Sequence, residues 1–573
     1  MLLQELKFLV FDVHRAEGLL KTEAFAHFDL DTLIATLESA DTLARRSFEP
    51  IAAQIDLEEP QLRDGKVIAS PALTEPLRAY AELGFLAATF PRDWGGLDAP
   101  AIIGAANMAL FGAACTPAAG YLFMTSAAAR LILTFGNEAQ QSTYIPPMLE
   151  GRWFGTMCLS EPQAGSSLHH VTTRAIPVSD GAFQIKGAKM WISGGDHDLS
   201  ENIVHLVLAR IVTDDTSSNP LSLFIVPRQR SDGRANDIIV AGLNKKLGHK
   251  ATTNCALVFG ENDACTGYLL GEPHRGLQQM FHMMHEARVG VGTTSAATAY
   301  AGYKYALAYA AERRQGRRNR SQSAARLVEH PDVRRMLLEQ KAIAEGALCL
   351  SLRGAHLIDQ IRVSPDRHER ERLQALRDIL TLLIKSWSAE RGLEANSLAI
   401  QTMGGAGYVR DHPVERLFRD QRLNPIHEGT NGILAIDLVT RKAKQGQGLT
   451  PLFEAVEADA RRTMPNEPAI ATALLSGLKV ISQCIEKTSA TQCDPDLALA
   501  FASPITLMLG DMAASWMWLA QVSALSGRTD RFSQGKRAAA AYMVHHVWAK
   551  SLALATAITA DVAPHNTIDE FSL

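Results

Sequence analysis

The sequence has no marked excess of charge of either sign. It contains 573 residues, with 57 Lys and Arg against 61 Asp and Glu, a formal net charge of −4 and a pI near 6.5. A balance this close to zero gives no global attraction to nucleic acid or anionic lipid, so the ligand has to be identified from local sites. Hydrophobic residues make up 47% of the chain. This share excludes a disordered protein, and the length indicates several domains.

Cysteine is scarce and scattered. No CxxC pair and no Cys/His cluster occurs among the seven cysteines, which are Cys115, Cys158, Cys255, Cys265, Cys349, Cys484 and Cys493. This distribution argues against a structural metal site and favours free thiols in a reducing compartment. We therefore expect a cytoplasmic protein that binds no metal.

Long uninterrupted apolar runs are also lacking. The most apolar windows are 101–124 and 498–520, and each is interrupted twice, by Asn107 and Pro117 in the first and by Pro504 and Asp511 in the second. We expect buried core helices there and no membrane span. The N-terminal stretch MLLQELKFLVFDVHRAEGLL carries Glu and Asp residues, which a secretory or transit peptide would avoid. It is expected to remain in the mature protein.

Apolar periodicity divides the chain into helical and strand-rich stretches. From about 28 to 150, apolar residues recur three and four apart, which predicts an α-helical domain. After 157 come five short alternating or β-branched runs separated by turn residues, at 182–193, 202–212, 221–228, 237–243 and 255–260. This pattern favours an antiparallel barrel over a βαβ sheet. From about 276, long helical periods predict a four-helix bundle closed by the helix after Thr430.

The predicted fold is mainly α with a central antiparallel β-barrel domain. The predicted domains are an N-terminal α-helical domain with an extension at 1–156, the β-barrel at 157–275, a C-terminal four-helix bundle at 276–445 and an extra helical domain at 446–573. The QGQG of 445–448 marks the last boundary. A basic stretch from Gln315 to Ser323 is interpreted as a solvated loop.

One segment, QTMGGAGYVRDHPVERLFRDQRLNPIHEGTNGI at 401–433, combines a Gly-rich loop with a single carboxylate, Glu428, about twenty residues later. No cation adjoins Glu428 in the sequence, and the small residues after it let a ligand approach the backbone. Two further segments, MCLSEPQAGSSL at 157–168 and KGAKMWISGG at 186–195, have the form of a flavin-binding edge. Together these segments resemble the acyl-CoA dehydrogenase family of flavoproteins, over about residues 80 to 445. The family's α, β-barrel, α order agrees with the periodicity.

The resemblance implies removal of the α-proton of an acyl-CoA thioester as H⁺ and of a β-hydrogen as hydride, leaving a trans-2-enoyl-CoA and a reduced flavin. By its position in IHEGT, Glu428 takes the role of the base. Desolvation by the acyl chain raises the pKa of such a carboxyl toward the operating pH. The alternative for Glu428 is an acid in the first turn of a helix. Some relatives carry the base immediately before the residue matched by Arg288, where this chain has Ala287, so Glu286 is a second choice.

The implied cofactor is FAD. In the family, the flavin pyrimidine edge meets positions that correspond to Met157, Leu159 and Ser160. The face of the ring near N5 meets positions that correspond to Trp191, Ile192 and Ser193. Hydroxyls and backbone amides suit the carbonyl groups and N5 of the ring, which accept hydrogen bonds. Trp191 could instead be a core aromatic of the barrel, and Met157 stands where many relatives have an aromatic residue.

The glycines of GGAG at 404–407 follow a helical period and no strand, which argues against a Rossmann dinucleotide site. In the family, residues matching Gln401, Gly404, Gly405 and Arg313 contact the FAD diphosphate of a neighbouring subunit, which implies a homodimer or homotetramer. Arg313 could instead pair with Glu312 or Glu345. Thr430 is the expected hydroxyl contact to the cofactor of its own subunit.

For the thioester, the resemblance assigns substrate contacts to Ser166, Arg288 and Gly429. Arg288 suits a phosphate or an adenine-facing contact, and its alternative is a buried arginine paired with Glu286. The residue before the base is usually Tyr in the family and is His427 here. The sequence looks most like a longer bacterial branch that includes 3-methylmercaptopropionyl-CoA and long-chain acyl-CoA dehydrogenases.

The leading hypothesis is an FAD-dependent acyl-CoA dehydrogenase that passes electrons to an electron-transfer flavoprotein. An acyl-CoA oxidase, which reacts with O₂, has the same sequence features. A DNA-associated flavoprotein related to alkylation-response proteins would carry a basic C-terminal domain, yet residues 446–573 hold nine Lys and Arg against twelve Asp and Glu. A flavin-bound scaffold without turnover is a further alternative, disfavoured by the intact Glu428. We expect no nucleic-acid partner.

Overall fold

The computed structural model describes residues 2–212, 220–317, 323–444, 448–489 and 495–560. These residues form two compact units. The helical unit comprises Met1–Leu37, Pro100–Ala113 and Arg288–Leu573, and the barrel unit comprises Glu38–Ala99 and Ala114–Ala287. The division into four domains at 156, 275 and 445 stays a prediction. Parts of two expected loops, 318–322 and 445–447, and Cys493 lie outside the described residues.

Six α-helices and a small hairpin precede the barrel in the described residues. The helices are α1 (Leu2–Lys7), α2 (Leu30–Leu43), α3 (Ala52–Leu57), α4 (Thr74–Glu82), α5 (Ala101–Phe135) and α6 (Glu138–Leu149). The hairpin strands are β1 (Gln61–Arg63) and β2 (Lys66–Ile68). Pro117 lacks an N–H, and helix α5 is kinked nearby at Cys115, whose φ and ψ are −163° and 84°. Helix α6 starts with a capping box of Asn137 and Gln140.

Among its described residues the barrel contains eight strands in chain order. They are β3 (Trp153–Cys158), β4 (Arg174–Pro177), β5 (Ala182–Ser193), β6 (Asn202–Ile211), β7 (Leu221–Pro227), β8 (Ile238–Leu243), β9 (Asn254–Phe259) and β10 (Thr266–Leu270). Hydrogen-bonded neighbours run in the order β10, β7, β6, β4, β5 and back to β10, which closes the barrel. Strands β9 and β8 extend from β5, and β3 lies beside β6.

Most strand pairs are antiparallel, which confirms the predicted barrel class. Two pairs, β3 with β6 and β4 with β6, are parallel. They arise because the hairpin of β4 and β5 intervenes before β6 enters the sheet. The strands predicted from apolar runs are β5 to β9, whereas the shorter β3, β4 and β10 were not predicted. Strand β7 is buried along its whole length, because its two faces belong to two core clusters, Leu223 and Ile225 to one and Phe224 and Val226 to the other.

The helices after the barrel begin with three long ones, α7 (Gly276–Glu312), α8 (Pro331–Val363) and α9 (Arg367–Met403). Then follow α10 (Gly405–Tyr408), α11 (Val414–Gln421), α12 (Asn431–Ile436), α13 (Thr450–Thr463), α14 (Pro468–Ser489), α15 (Pro495–Ser523), α16 (Arg531–Tyr542) and α17 (Ala549–Thr559). The expected bundle helix after Thr430 is regular only over the six residues of α12. Helix α15 packs against both α8 and α9, so the C-terminal helices complete the cover of the bundle.

A buried carboxylate connects α15 to α9. Asp511 is fully buried and accepts hydrogen bonds from Trp387 Nε1 at 2.6 Å and from Arg391 Nη2 at 2.6 Å. The predicted extra helical segment is thus joined to the bundle by a buried ion pair as well as by apolar contacts.

In the part of the chain that the structure describes, three helices are long and apolar enough to cross a membrane, judged by length and composition alone. They are Ala101–Phe135, Pro468–Thr488 and Ala498–Ser523, with 72%, 39% and 67% of their most apolar windows buried within the protein. The first and third contain the windows expected to be core helices. The six described cysteines are free thiols, and all are buried, as expected for a chain without disulfides.

Candidate functional site

Glu428 lies in the loop between α11 and α12, in a backbone conformation that is rare for its residue type. Its φ is +54°, and Gly429 after it has φ +83°, so two consecutive residues are left-handed. Helix α12 begins only at Asn431, after the cap Thr430, whose hydroxyl accepts the Ile433 N–H at 3.2 Å. The interpretation of Glu428 as a first-turn acid is therefore wrong.

A buried lysine from α9 holds this loop. The Nζ atom of Lys385, a residue with no exposed surface, donates to the Gly429 carbonyl at 2.7 Å and to Asn431 Oδ1 at 3.0 Å. The Asn431 amide in turn donates to the Ser386 carbonyl at 3.1 Å and to Glu390 Oε2 at 3.2 Å. The loop after Glu428 is thus attached to one face of α9 by four hydrogen bonds.

The electrostatic surroundings of Glu428 differ from the sequence expectation, which found no neighbouring cation. The fold brings Lys385 and Arg288 near it from α9 and α7. Burial raises the pKa of the Glu428 carboxyl, and the charges of Lys385 and Arg288 oppose the rise. Burial also lowers the pKa of Lys385 to about 7, with the charge of Glu428 opposing this shift and that of Arg288 adding to it. A carboxyl with a raised pKa is suited to accept a proton near neutral pH.

Arg288 is 8% exposed, and its Nε has no hydrogen-bond partner among the described residues. Asp437 and Glu428 are the acidic groups with the largest influence on it. The expected alternative partner, Glu286, instead pairs with Arg130, Oε2 to Nε, at 2.9 Å. The alternative of an Arg288–Glu286 pair is therefore wrong. A buried donor without a protein partner is what an anionic or carbonyl ligand would satisfy.

The two predicted flavin-edge segments meet in the barrel unit. Met190 N donates to the Ser160 carbonyl at 3.0 Å, and Lys189 Nζ donates to the Leu159 carbonyl at 3.1 Å. Gly155 N points away from β6, to Thr125 Oγ1 at 3.1 Å. Because backbone direction alternates along a strand, Met157 presents its N–H on that same edge. Within the described residues β3 pairs with β6 alone, so this edge can offer backbone donors to a ligand.

Trp191 lies on a β-bulge, and the interpretation of it as a core aromatic is wrong. Lys189 pairs with Leu257 and Ile192 with Cys255, which leaves two residues of β5 opposite one of β9. Trp191 has φ +65° and is 62% exposed, whereas Ile192 is buried. Ser193 Oγ accepts from Asn254 Nδ2 at 3.3 Å. The bulge turns the indole outward, beside a hydroxyl that can still donate.

Glu161, which the sequence analysis did not single out, supports this edge. Its carboxylate accepts from Lys189 Nζ at 2.9 Å, from Thr172 N at 2.8 Å and from Thr173 N at 3.0 Å, and also from the two threonine hydroxyls. Burial alone would raise the pKa of Glu161, but Lys189 and these hydrogen bonds lower it to about 2. Since Lys189 also binds the Leu159 carbonyl, Glu161 fixes the segment expected to meet the flavin.

The glycine loop follows a helix, as predicted. Gly404 has φ +61° and ends α9, and a Cβ at Gly404 or Gly405 would meet no atom within 4 Å. Gln401 is exposed on the last turn. Such bare, open backbone can approach a diphosphate closely. Arg313 is exposed just beyond α7, whereas Glu345, one of its alternative partners, binds Lys341 and Lys536.

Ser166, which the resemblance assigns to the substrate, lies exposed in the loop that follows β3.

The barrel unit also contains a cavity of about 920 Å³ between the hairpin of β1 and β2 and residues 243–254. The cavity reaches Asn254, the partner of Ser193. Three lysines, Lys245, Lys246 and Lys250, line it. Within the described ranges, no group of three or more His, Cys, Asp or Glu residues could hold a metal ion.

The donor set fits a flavin. An isoalloxazine ring presents carbonyl oxygens and N5 as acceptors and needs an apolar surface for its face. The barrel unit supplies backbone N–H groups on the edge of β3, the hydroxyl of Ser193 and the exposed indole of Trp191. The functional roles of these residues, and of those around Gly404, stay predictions.

Comparison with protein families gives matches along nearly the whole chain. Models of the N-terminal, middle and C-terminal domains of acyl-CoA dehydrogenase match residues 31–152, 156–261 and 274–443. A model described as acetyl-CoA dehydrogenase C-terminal like matches residues 452–567.

Two curated relatives match most of the chain. The 3-methylmercaptopropionyl-CoA dehydrogenase of Ruegeria pomeroyi is 33% identical over 507 residues, covering 86% of this chain and 86% of that protein. The broad-specificity linear acyl-CoA dehydrogenase FadE5 of Mycobacterium tuberculosis is 31% identical over 460 residues, covering 77% and 75%.

Solved structures share the fold at low sequence identity. An acyl-CoA dehydrogenase from Bacillus anthracis complexed with FAD has a TM-score of 0.77 and 19% identity, covering 96% of this chain and 90% of that one. Caenorhabditis elegans ACDH-11 in complex with C11-CoA has a TM-score of 0.76 and 18% identity, covering 98% and 94%. These likenesses confirm the fold class, including the extra C-terminal helical segment.

Proposed function

Because the chain belongs to the acyl-CoA dehydrogenase family, we propose that it oxidises an acyl-CoA thioester to the trans-2-enoyl-CoA, with Glu428 as the base that removes the α-proton. The protein is an acyl-CoA dehydrogenase, and FAD is its cofactor. When bound, FAD supplies the acceptor for the β-hydride. The observation that carries the assignment of the base is the half-buried, left-handed Glu428, whose carboxyl pKa is raised.

In the proposed reaction, Arg288 binds the substrate and Glu428 removes the proton. The open Nε donor of Arg288 is available to a polar atom of the thioester's CoA part. The partial burial of Glu428 raises the pKa of its carboxyl, so its proton affinity is higher than in solvent. Glu286 is a poorer candidate for the base because it is paired with Arg130.

The electron acceptor and the assembly belong to the same proposal. Electrons pass to an electron-transfer flavoprotein, and a homodimer or homotetramer places Gln401, Gly404, Gly405 and Arg313 against the cofactor of a neighbouring subunit. The open backbone at Gly404 and Gly405 supports this arrangement. The protein works in the cytoplasm, with its apolar helices in protein rather than lipid. Consumption of O₂ on addition of substrate would instead identify an oxidase.

The DNA-associated alternative is not favoured. The matches are to acyl-CoA dehydrogenases and include residues 452–567. The C-terminal segment also carries more acidic than basic residues, which makes it a poor partner for phosphates.

The test is anaerobic bleaching of the bound FAD by a panel of acyl-CoA thioesters, including linear chains of several lengths and 3-methylmercaptopropionyl-CoA. The wild-type enzyme should bleach with at least one of them. Glu428→Gln should keep the yellow cofactor but lose at least about 10²-fold in turnover, the usual scale for a positioned base. Glu286→Gln is the matched control and should turn over normally. A normal Glu428→Gln enzyme would show that the base lies elsewhere.

A further inference from the structure

We infer that Lys385, a buried residue of α9, is a positioning residue. It binds the loop that carries Glu428, and its positive charge stabilises the ionised form of that base. The inference rests on the proposed function. It concerns a residue that contacts the loop and not the substrate. Its signal in the sequence is a single lysine inside the apolar run TLLIKSW at 381–387.

The loop needs an external hold because its backbone is strained. A left-handed conformation costs about 1–3 kcal/mol for a residue such as Glu and persists only when surrounding contacts enforce it. Lys385 Nζ binds the Gly429 carbonyl at 2.7 Å, immediately after the strained residue, and Asn431 Oδ1 at 3.0 Å. On the N-terminal side of Glu428, the Pro425 carbonyl accepts a hydrogen bond from Asn431 N at 2.9 Å. The side chain of Glu428 is therefore aimed by contacts made on both flanks of the loop.

The charge of Lys385 is not needed for these hydrogen bonds. Its two recorded acceptors are a backbone carbonyl and an amide oxygen, which a neutral amide could also bind. Among the described residues, no carboxylate lies within ion-pair distance of Nζ, although burying an ammonium group without such a partner is costly. The charges acting on it are Glu428 in the loop, Arg288 on α7 and Glu390 on its own helix. Glu428 has the largest influence of the three, so the charge of Lys385, when it is protonated, acts chiefly on the base.

The direction of this effect follows from the two pKa shifts. Burial raises the pKa of Glu428 and lowers that of Lys385 to about 7, and the charge of each group opposes the shift of the other. A charged Lys385 favours the ionised carboxylate that accepts the α-proton. Without the charge of Lys385, only Arg288 would oppose the effect of burial on Glu428, and the pKa of Glu428 would rise further. The limb of kcat/KM that rises with pH should then move to higher pH.

The experiment compares K385M, which lacks both donors and charge, with K385Q, which keeps a donor and loses the charge. The control is K304M, since Lys304 is a half-buried lysine on a different helix, α7, and its electrostatic neighbours are Lys341, Glu345 and Glu5. We expect FAD to stay bound in all three. In K385M, kcat should fall at least about tenfold because the base is misplaced. The pH midpoint of kcat/KM should move up by about one unit in both Lys385 variants, and K304M should match the wild type.

The possible results separate the inference from the proposed function. If no thioester bleaches the wild-type enzyme, the proposed function falls and this inference with it. If the wild type is active and K385M and K385Q share its rate and pH profile, only the inference is overturned. A K385M enzyme with a lowered kcat but an unchanged pH midpoint of kcat/KM also overturns the inference, since that result indicates a purely structural lysine. If K385M does not bind FAD, the test depends on K385Q: a pH midpoint of kcat/KM that moves up supports the inference, and an unchanged midpoint overturns it.

Discussion

Replacing Glu161 with Gln should loosen the flavin-edge segment of the barrel while keeping its shape. Glu161 and Lys189 form an ion pair of 2.9 Å whose side chains are 2% and 0% exposed. Removing one charge of such a pair leaves the other buried and uncompensated, which costs about 3–5 kcal/mol. Since about 1.4 kcal/mol is a factor of ten, amides of β3 to β5 should exchange with deuterium at least about 10²-fold faster, up to the limit set by global unfolding.

The same strand offers a matched control. Lys186, three residues before Lys189, pairs with Asp263 at 2.7 Å, but these side chains are 46% and 63% exposed. Asp263→Asn should therefore change stability by less than about 1 kcal/mol. Hydrogen exchange followed by mass spectrometry on peptides covering β3 to β5 compares the two variants. Equal effects of Glu161→Gln and Asp263→Asn would refute the importance of the buried pair.

The pH dependence gives a second check on Glu161. Its pKa is lowered from 4.5 to about 2 in the folded protein, so its contribution to stability is fully present above about pH 4.5. That contribution is lost as the pH falls from 4.5 toward 2. The difference in stability between the wild type and Glu161→Gln should shrink over this interval, and a constant difference would contradict the assigned cause.

Three further predictions concern the site and its support. Trp191→Gly should change the free energy of unfolding by less than about 1 kcal/mol, because the indole is exposed and the left-handed backbone suits glycine. The same substitution should weaken FAD binding about tenfold in a fluorescence titration, because the ring loses the indole surface. His427→Tyr removes the 3.2 Å contact of Nε2 with Asn424 and adds bulk, so the ratio of kcat/KM for short and long acyl chains should change about tenfold. If the chain-length preference and the pH profile both stay the same, His427 has no such role. Asp511→Asn should lower the free energy of unfolding by at least about 2 kcal/mol, because Arg391 loses its buried carboxylate, and an unchanged urea midpoint would contradict this.

The sequence predicted the barrel best where apolar runs are long. The five predicted runs correspond to β5 to β9. The most continuous apolar runs are those of β6 and β7, which are buried on both faces. Strands β4 and β10 have only four and five residues, and Gly155 interrupts the six residues of β3, so no clear period identifies them. The bulge at Trp191 leaves no mark in the sequence either. It depends on register with β9, which only the paired strands define.

The site could be predicted as a set of segments, but its electrostatics could not. Glu428 was identified from its neighbours in the sequence, whereas the two cations near it come from residues 288 and 385, far away in the chain. The proximity of Glu286 to Arg288 in sequence was misleading for the same reason. On a helix, residues two apart point in different directions, and Glu286 faces Arg130 instead.

The packing of α15 on α9 bears on any attempt to shorten this protein to the length of smaller enzymes. Gly510 lies so close to Trp387 that a Cβ would come within 2.4 Å of the indole, two residues along α9 from Lys385. Cutting the chain after the bundle would expose that indole to solvent and remove Asp511, the buried carboxylate that pairs with Arg391. The helix that carries the loop-holding lysine would then face solvent on its opposite side. A truncated enzyme should consequently lose its catalytic geometry together with its solubility, even though every residue near Glu428 is still present.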